Sequence, residues 1–412
     1  MKPLKFTLIV DAVDSYIYSG YMFIVLKDSR LVYTPLSRII HKLIDQYPYY
    51  ESIIRLAFHR NDYFNNATGK LFLGIGELYH TLERVWERAS EEIEFFLDFD
   101  IDDFEVIAEI PSMPVLDIKM YAMRMYIGCK LGLYEVKLNP DDNKYDLRPS
   151  KIERCFDAKV TGLNAKSGKV VISANNEGLF HGNLSNWDKL DVNESPIAAK
   201  SIRTGWSSYD IINYDKPNEF EYFVNETAKV KHKQDHVYSK FDETYEKTQI
   251  VNFGKEKIGM SQLLNQSGLK KEDIIYCFNS SNSGFFFTKD REFITINLGK
   301  DKEKGIAFKS RSHSLPLIDN NPNLNCKKPI SSSIIPLGCI IEYYDKVVLF
   351  QKSKAQIIET APVMSIRTFI NSIRYKNLLS ITKDSEISIH SIDPFYTNVP
   401  PVMTFPDFEF DI

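Results

Sequence analysis

The sequence predicts a mainly β fold, a seven-bladed β-propeller with an α-helical insertion near its N-terminus. Three observations support this prediction. Aromatic residues make up 13% of the 412 residues, with 27 Phe and 23 Tyr, and such side chains suit half-buried sheet surfaces. Pairs of short apolar runs, each pair separated by turn residues, recur along the chain. The spacing of these pairs is close to the length of one propeller blade.

The clearest pair lies in residues 168–184. An apolar run at 170–174 meets Asn175, Asn176 and Gly178, and a second run follows at 179–184. Asn and Gly accept a positive φ at little steric cost, so this turn can reverse the chain and pair the two runs. We therefore predict a β-hairpin here.

Six further hairpins have the same form. Their paired runs are 16–26 with 31–36, 123–128 with 133–138, 209–214 with 220–224, 274–278 with 285–288 and 293–298, 339–343 with 347–351, and 378–382 with 387–392. Half of the intervals between them are about 40–50 residues, the length of a four-stranded blade. The sequence therefore predicts seven blades, or six if 209–224 is not a hairpin. The apolar run 6–10 is expected to complete the last blade.

A helical insertion is predicted over about residues 38–99. Apolar side chains recur there at steps of three and four, with acidic and basic residues on the opposite face. The stripe comprises Ile75, Leu78, Tyr79, Leu82, Val85, Trp86, Ala89, Ile93, Phe96 and Leu97. A shorter helix is predicted over 49–59, and the loop 65–70 separates the two.

The whole chain, residues 1–412, is expected to form one propeller domain that includes this insertion. Two charged stretches without a clean period, about 228–256 and 299–333, are predicted as long loops. The Pro- and Phe-rich residues 393–412 are predicted to form a C-terminal tail that lies extended over the body of the protein.

These hairpins resemble those of divergent WD40-like β-propeller repeat proteins. The resemblance covers most of the chain, but neither the Trp-Asp dipeptide nor the Gly-His blade signature is present. It implies a scaffold or recognition platform more often than an enzyme.

Composition and charge argue against several classes of function and location. The formal net charge is −4, which gives no overall attraction to nucleic acid or anionic membranes. No run approaches the ~18 apolar residues of a membrane span. Asp11 and Asp14 interrupt the first apolar run too early for a signal peptide. The five scattered cysteines indicate reduced thiols, so we expect a cytoplasmic protein without membrane association.

The sequence contains only weak candidates for metal-binding or catalytic motifs. His232 and His236 have a spacing that could present two imidazoles to a metal, but Lys231 and Lys233 flank them, which favours a solvated loop. The aspartates of 98–103 lack the EF-hand pattern and are better explained as a linker, and the serines of 279–284 as a turn. We therefore predict no metal site, no cofactor and no catalytic residue.

Two groups of residues are candidates for partner binding. Tyr79 and Trp86 belong to the helical stripe, which is predicted to face the core unless part of it stays exposed. Lys229, Lys231 and Lys233 form a basic run that could contact phosphate groups, although such runs more often only face solvent.

The predicted function is that of a non-catalytic scaffold or recognition subunit with other protein subunits as partners. Two alternatives stay open. One is an enzyme whose dispersed site lies at a mouth of the propeller channel. The other is a propeller that senses a small ligand or nucleic acid through residues 229–233 and 300–309.

Overall fold

The structure is a computed structural model, and it describes twelve stretches of the chain. These are residues 3–59, 75–138, 147–184, 188–233, 244–265, 267–290, 292–301, 305–316, 328–336, 338–351, 355–360 and 362–392.

The chain forms a seven-bladed β-propeller with a short helical segment near the N-terminus, as the sequence predicts. Six blades are four-stranded antiparallel sheets, and the seventh has five strands. The fourth predicted hairpin is present, so the six-bladed alternative is wrong.

Blades 1 to 3 take their strands from the first half of the chain. Blade 1 contains β2 (Ala12–Tyr18), β3 (Tyr21–Leu26), β4 (Arg30–Pro35) and β6 (Glu105–Glu109); blade 2 contains β7 (Val115–Tyr121), β8 (Arg124–Cys129), β9 (Gly132–Lys137) and β10 (Glu153–Phe156); blade 3 contains β11 (Gly162–Lys166), β12 (Lys169–Ser173), β13 (Leu179–Asn183) and β14 (Asp191–Val192).

Blades 4 to 7 follow in chain order. Blade 4 contains β15 (Arg203–Ser207), β16 (Asp210–Lys216), β17 (Glu219–Lys233) and β18 (Thr244–Gly259); blade 5 contains β19 (Ile274–Ser280), β20 (Ser283–Thr288), β21 (Glu292–Asp301) and β22 (Gly305–Pro316); blade 6 contains β23 (Ser331–Ile335), β24 (Gly338–Glu342), β25 (Val347–Phe350) and β26 (Ala355–Glu359); blade 7 contains β27 (Ser365–Thr368), β28 (Leu378–Thr382), β29 (Glu386–Ser391), β1 (Leu4–Ile9) and β5 (Phe95–Asp98).

The described residues group into two compact units. Unit 1 is Met1–Pro111 with Pro329–Ile412, and unit 2 is Ser112–Lys328. Unit 1 holds blades 1, 6 and 7, and unit 2 holds blades 2 to 5.

In unit 1 the first strand completes the last blade. β1 pairs antiparallel with β29, from Leu4 opposite Ser391 to Ile9 opposite Glu386. The apolar N-terminal run therefore has the predicted role. A partly buried ion pair joins blades 1 and 7, since Arg367 Nε donates to Asp14 Oδ1 at 3.0 Å.

The helical insertion lies between β4 and β6 of blade 1. It contains α1 (Leu36–Gln46), a 3-10 turn (Pro48–Tyr50), α2 (Glu51–Ile54), a π-helical turn (Arg55–His59) and α3 (Gly76–Glu92). The predicted helices are confirmed within the described residues, and the predicted loop 65–70 lies outside them. The predicted end of the long helix is wrong, because Phe96 and Leu97 belong to β5, which pairs parallel with β1.

The core of unit 1 joins the insertion to the blades. Phe6 of β1 meets Phe58 edge-on, with ring centroids 4.9 Å apart, and Trp86 of α3 is fully buried in the same cluster. Apolar burial of this kind is the dominant stabilising term in folding, so the insertion is part of the unit's core rather than an appendage.

In unit 2 apolar residues of neighbouring sheets pack against each other. Ile172 of blade 3 lies in one cluster with Tyr126 of blade 2, and Ile211 of blade 4 lies in another with Val171 of blade 3. A short helix, α4 (Met260–Leu264), follows β18 and buries its apolar side chains between blades 4 and 5.

The predicted loops over 228–256 and 299–333 are wrong for most of the residues of these stretches that the structure describes. Residues 219–233 and 244–259 form the two strands of one hairpin, and 292–301 and 305–316 form those of another. No apolar alternation marked the first of these hairpins because it extends beyond the packed part of its blade. The predicted tail, residues 393–412, lies outside the described residues, and a single domain over 1–412 stays a prediction.

No described helix combines the length and the hydropathy needed to cross a membrane. The four described cysteines, Cys129, Cys155, Cys277 and Cys339, are free thiols. Burial raises the pKa of Cys129 to about 11 and that of Cys277 to about 12. Neither thiol is therefore a ready nucleophile at neutral pH.

Candidate partner-binding arm

Blade 4 carries the longest hairpin among the described strands. β17 and β18 have 15 and 16 residues, whereas the strands of blade 3 have 5 residues or fewer. The ladder runs from Glu221 opposite Gly259 to Lys233 opposite Thr244. We define the distal arm as residues 227–233 and 244–250, the part beyond the last register shift.

The distal arm begins at a bulge. The ladder register shifts at Glu226, and on the opposite strand Gly254 has a φ of 62°, in the left-handed region that glycine adopts without strain. A bulge bends a strand and increases its twist, so this point sets the direction in which the arm leaves the sheet.

A buried polar network fixes the bulge. The Asn225 backbone N–H donates to Asp210 Oδ1 at 2.9 Å, and the Gly254 N–H donates to Asn225 Oδ1 at 2.9 Å. The Asn225 side chain also donates to the Tyr209 carbonyl at 2.7 Å, and the Tyr222 hydroxyl donates to Asp210 Oδ2 at 3.1 Å. One carboxylate and one amide thus hold the two strands at the base of the arm.

An aromatic contact adds a second anchor. The His181 ring of blade 3 stacks on Phe253 of β18, with centroids 3.9 Å apart and planes 18° from parallel. Burial, assisted by nearby Lys169, lowers the pKa of His181 to about 4. The imidazole is therefore neutral at pH 7, and the stack needs no counter-ion.

Beyond these anchors the distal arm faces solvent. Of its side chains that the structure describes, only Ile250, at the base, is buried. Lys229 and Lys231 are exposed, and Lys233 ends β17 opposite Thr244. The three predicted lysines thus lie on one strand of the arm rather than in a loop.

The arm's lysines do not form a purely basic surface. Lys229 Nζ lies 3.3 Å from Glu246 Oε2, with the two side chains 75% and 50% exposed. Glu246 is also the direct cross-strand neighbour of Lys231. Opposite charges facing each other stabilise a sheet slightly and reduce the field that a phosphate group would meet.

The other predicted site residues lie elsewhere. Tyr79 and Trp86 are 4% and 0% exposed within the core of unit 1. They lie together in this core, and their burial removes the basis for predicting them as partner-binding. The exposed aromatic of the predicted stripe is Phe96, which lies on β5.

The residues considered above for metal binding and catalysis lie on strands or turns where the structure describes them. His232 lies on β17, so the helical spacing that would pair it with His236 does not apply, and His236 lies outside the described residues. Among the residues that the structure describes, no three His, Cys, Asp or Glu side chains gather as metal ligands. Residues 281–282 form a tight turn between β19 and β20, as expected. Asn279, near the end of β19, donates its side chain to the Trp206 carbonyl at 2.9 Å.

Asp210, Asn225 and Gly254 were not among the residues predicted for the site. Their partners are distant in sequence, which no local pattern shows. Gly254 alone gave a usable signal, because an isolated glycine in a strand often marks a bulge.

Comparison with known proteins gives fold likeness only. No family model matches the sequence, and no curated protein matches it. Among solved structures, the computationally designed Ika8 protein is 6% identical with a TM-score of 0.44, covering 95% of this chain and all of that one.

Two natural structures also match. One is a chain from the S. cerevisiae structure of a Dbp5 variant bound to Nup159, a Gle1 variant, IP6 and ADP. It is 9% identical with a TM-score of 0.41, and the match covers 93% of this chain and 90% of that one. A chain from the crystal structure of BBS1N in complex with ARL6DN is 10% identical, with a TM-score of 0.38. The match covers 70% of this chain and 82% of that one. All three scores lie below 0.5, so a function must be argued from this chain's own residues, and the WD40-like resemblance stays a prediction.

Proposed function

We propose that the chain is a scaffold or recognition subunit whose protein partner binds the distal arm of blade 4. The observation that carries the proposal is an exposed two-stranded arm on a rigid, buried base. Burying the polar groups of the base network costs free energy, and a short blade would not need such a network. The network holds the arm, which has no core of its own, in one direction.

The side chains of the arm suit a protein partner. The exposed Lys229, Lys231 and Glu246 can form oriented ion pairs and hydrogen bonds with a complementary surface, which gives specificity more than raw affinity. Ala228 and Val230, partly buried between the charged positions, would add small apolar contacts. A cytoplasmic location belongs to this proposal, supported by the free thiols of Cys129, Cys277 and Cys339.

The test is an arm deletion. Thr227 and Ile250 are cross-strand neighbours, so residues 228–249 can be replaced by Asn-Gly, which closes a two-residue hairpin. Tagged full-length chain and the deletion variant are purified from native extract, and the recovered proteins are quantified. We expect an unchanged melting temperature and loss of at least one reproducible partner.

Two controls sharpen the result. Lys229→Glu with Lys231→Glu should reduce recovery of that partner. Lys255→Glu, at the base of the same hairpin on the partner strand β18, should not. Recovery of an identical set of proteins by all variants would contradict the proposal. Salt-dependent binding of an oligonucleotide that is lost with the arm would instead favour the nucleic-acid alternative.

A further inference from the structure

A surface loop of unit 1 exposes two isoleucines. The loop, residues 369–377, joins β27 to β28 in blade 7, and Ile370 and Ile373 are 39% and 79% exposed. Arg374, next to Ile373, is also exposed. The loop thus combines an apolar surface with a basic group.

Core contacts and hydrogen bonds fix the conformation of this loop, and in that conformation Ile373 is exposed. Phe369 and Tyr375, on either side of Ile373, are both 4% exposed and belong to the core of unit 1. The Ser372 N–H donates to the Phe369 carbonyl at 2.7 Å, and the Tyr375 N–H donates to Ser372 Oγ at 3.1 Å. Two buried rings and these turn bonds present Ile373 to solvent.

The C-terminal tail leaves the sheet beside this loop. The Ile392 N–H donates to the carbonyl of Asn377, the loop's last residue, at 2.9 Å. Residues 393–412 continue from that point, and their first aromatic residues are Phe395 and Tyr396. Three or four extended residues span about 10 Å, so these rings are within reach of the loop.

The composition of the tail complements the loop. It contains five aromatic residues, four acidic residues and no Lys or Arg. Its four prolines lack an N–H group, which disfavours addition as a regular strand and favours contacts through side chains. Aromatic and acidic side chains match exposed isoleucines beside an arginine.

We propose that the tail docks on this loop within the same molecule, with Phe395 and Tyr396 covering Ile370 and Ile373 and the acidic residues toward Arg374. Attachment at Ile392 gives the tail an effective concentration on the order of millimolar, so even a weak contact is occupied. This proposal concerns unit 1 and is independent of the partner proposed for the distal arm.

Photocrosslinking of the full chain tests the proposal. In Ile373→p-benzoylphenylalanine the reactive group replaces an exposed side chain, so folding should be preserved, as a melting curve would verify. No Lys or Arg follows Lys383, so trypsin releases the tail within one peptide, residues 384–412. We expect a crosslink that fragmentation places within 393–412.

The matched control is Ile330→p-benzoylphenylalanine, because Ile330 is a 55% exposed isoleucine of the same unit. It should give little crosslinked tail. Arg374→Glu in the Ile373 variant should lower the yield about two- to fivefold, the effect of one exposed ion pair. Equal yields at the two positions, no crosslink at Ile373, or a crosslink only between two copies would overturn the proposal.

Discussion

Two extensions lie between the third and fourth strands of their blades, but one is packed into a core and the other is exposed to solvent. The helical insertion separates the third and fourth strands of blade 1, and the distal arm lengthens the third and fourth strands of blade 4. The first buries Phe58, Tyr79 and Trp86 in a core, whereas the second keeps Lys229, Lys231 and Glu246 in solvent. The difference follows from the presence or absence of an apolar stripe.

We expect the insertion to serve stability, and the arm is the extension that we propose for recognition. The insertion contributes Phe58, Tyr79 and Trp86 to the core of unit 1, so its removal should damage the fold. The arm contributes Ile250 at its base, so its outer part should be dispensable for folding. The predictions below test this contrast, beginning with the largest expected effect.

Trp86→Ala should destabilise the chain most. A fully buried indole is lost and a cavity remains, which typically costs about 3–5 kcal/mol in the free energy of unfolding. Urea unfolding followed by circular dichroism measures this value. A loss below about 1 kcal/mol would mean that α3 is not part of the core.

Asn225→Ala should have an intermediate effect with a functional consequence. It removes the acceptor for the Gly254 N–H and the donor to the Tyr209 carbonyl, and buried groups without partners cost about 1–3 kcal/mol. Recovery of the arm's partner should fall too, although residue 225 lies outside the arm. Asn252→Ala, at an exposed neighbouring position, should change neither quantity.

Acidification should weaken the anchor at the base of the arm. The pKa of His181 is about 4 in the folded chain and 6.5 in an unfolded one, so between these values only the unfolded state binds the proton. The stability that the neutral ring contributes is thus present above pH 6.5 and lost as pH falls toward 4, by about 1 kcal/mol between pH 6.5 and 5 after allowing for partial exposure.

Unfolding of His181→Phe compared with the natural chain at both pH values measures this effect. The variant keeps an aromatic ring against Phe253, while Lys169 and Asp191 remain as the nearby charges. Its stability should change less than that of the natural chain over this range. An identical pH dependence in both proteins would show that His181 does not titrate as described.

Lys229→Ala should have the smallest effect on stability. Its ion pair with Glu246 is exposed, and such pairs contribute about 0–1 kcal/mol. Thermal unfolding should show a shift within experimental error, while binding of the arm's partner weakens. A clear loss of stability would place the arm in the folding core and break the contrast with the helical insertion.

The sequence predicted the blades better than the arm, for a physical reason. Each of the seven hairpins buries an apolar face between sheets, so alternating residues such as Val170 and Ile172 reveal it. The arm has no face to bury, and its strands 227–233 and 244–250 resemble a loop in composition. Helix α3 was recognised by its apolar stripe. The strand at Phe96 was predicted as part of this helix because its apolar residues continue the stripe.

The candidate site was predicted only in part. Lys229, Lys231 and Lys233 stood out as a basic run, yet Glu246 lies opposite them only after the hairpin forms. Asp210 and Asn225 meet through folding of blade 4, and neither has a local signature. Burial of Tyr79 and Trp86 depends on how the insertion packs against blade 7, which helical periodicity alone cannot decide.

Hydrogen–deuterium exchange of the chain alone and bound to the partner that depends on the arm tests the central claim most directly. The account predicts slower exchange on binding at residues 228–233 and 244–249, with blades 1, 6 and 7 unchanged. Slower exchange confined to other parts of the chain, with the arm unaffected, would contradict it.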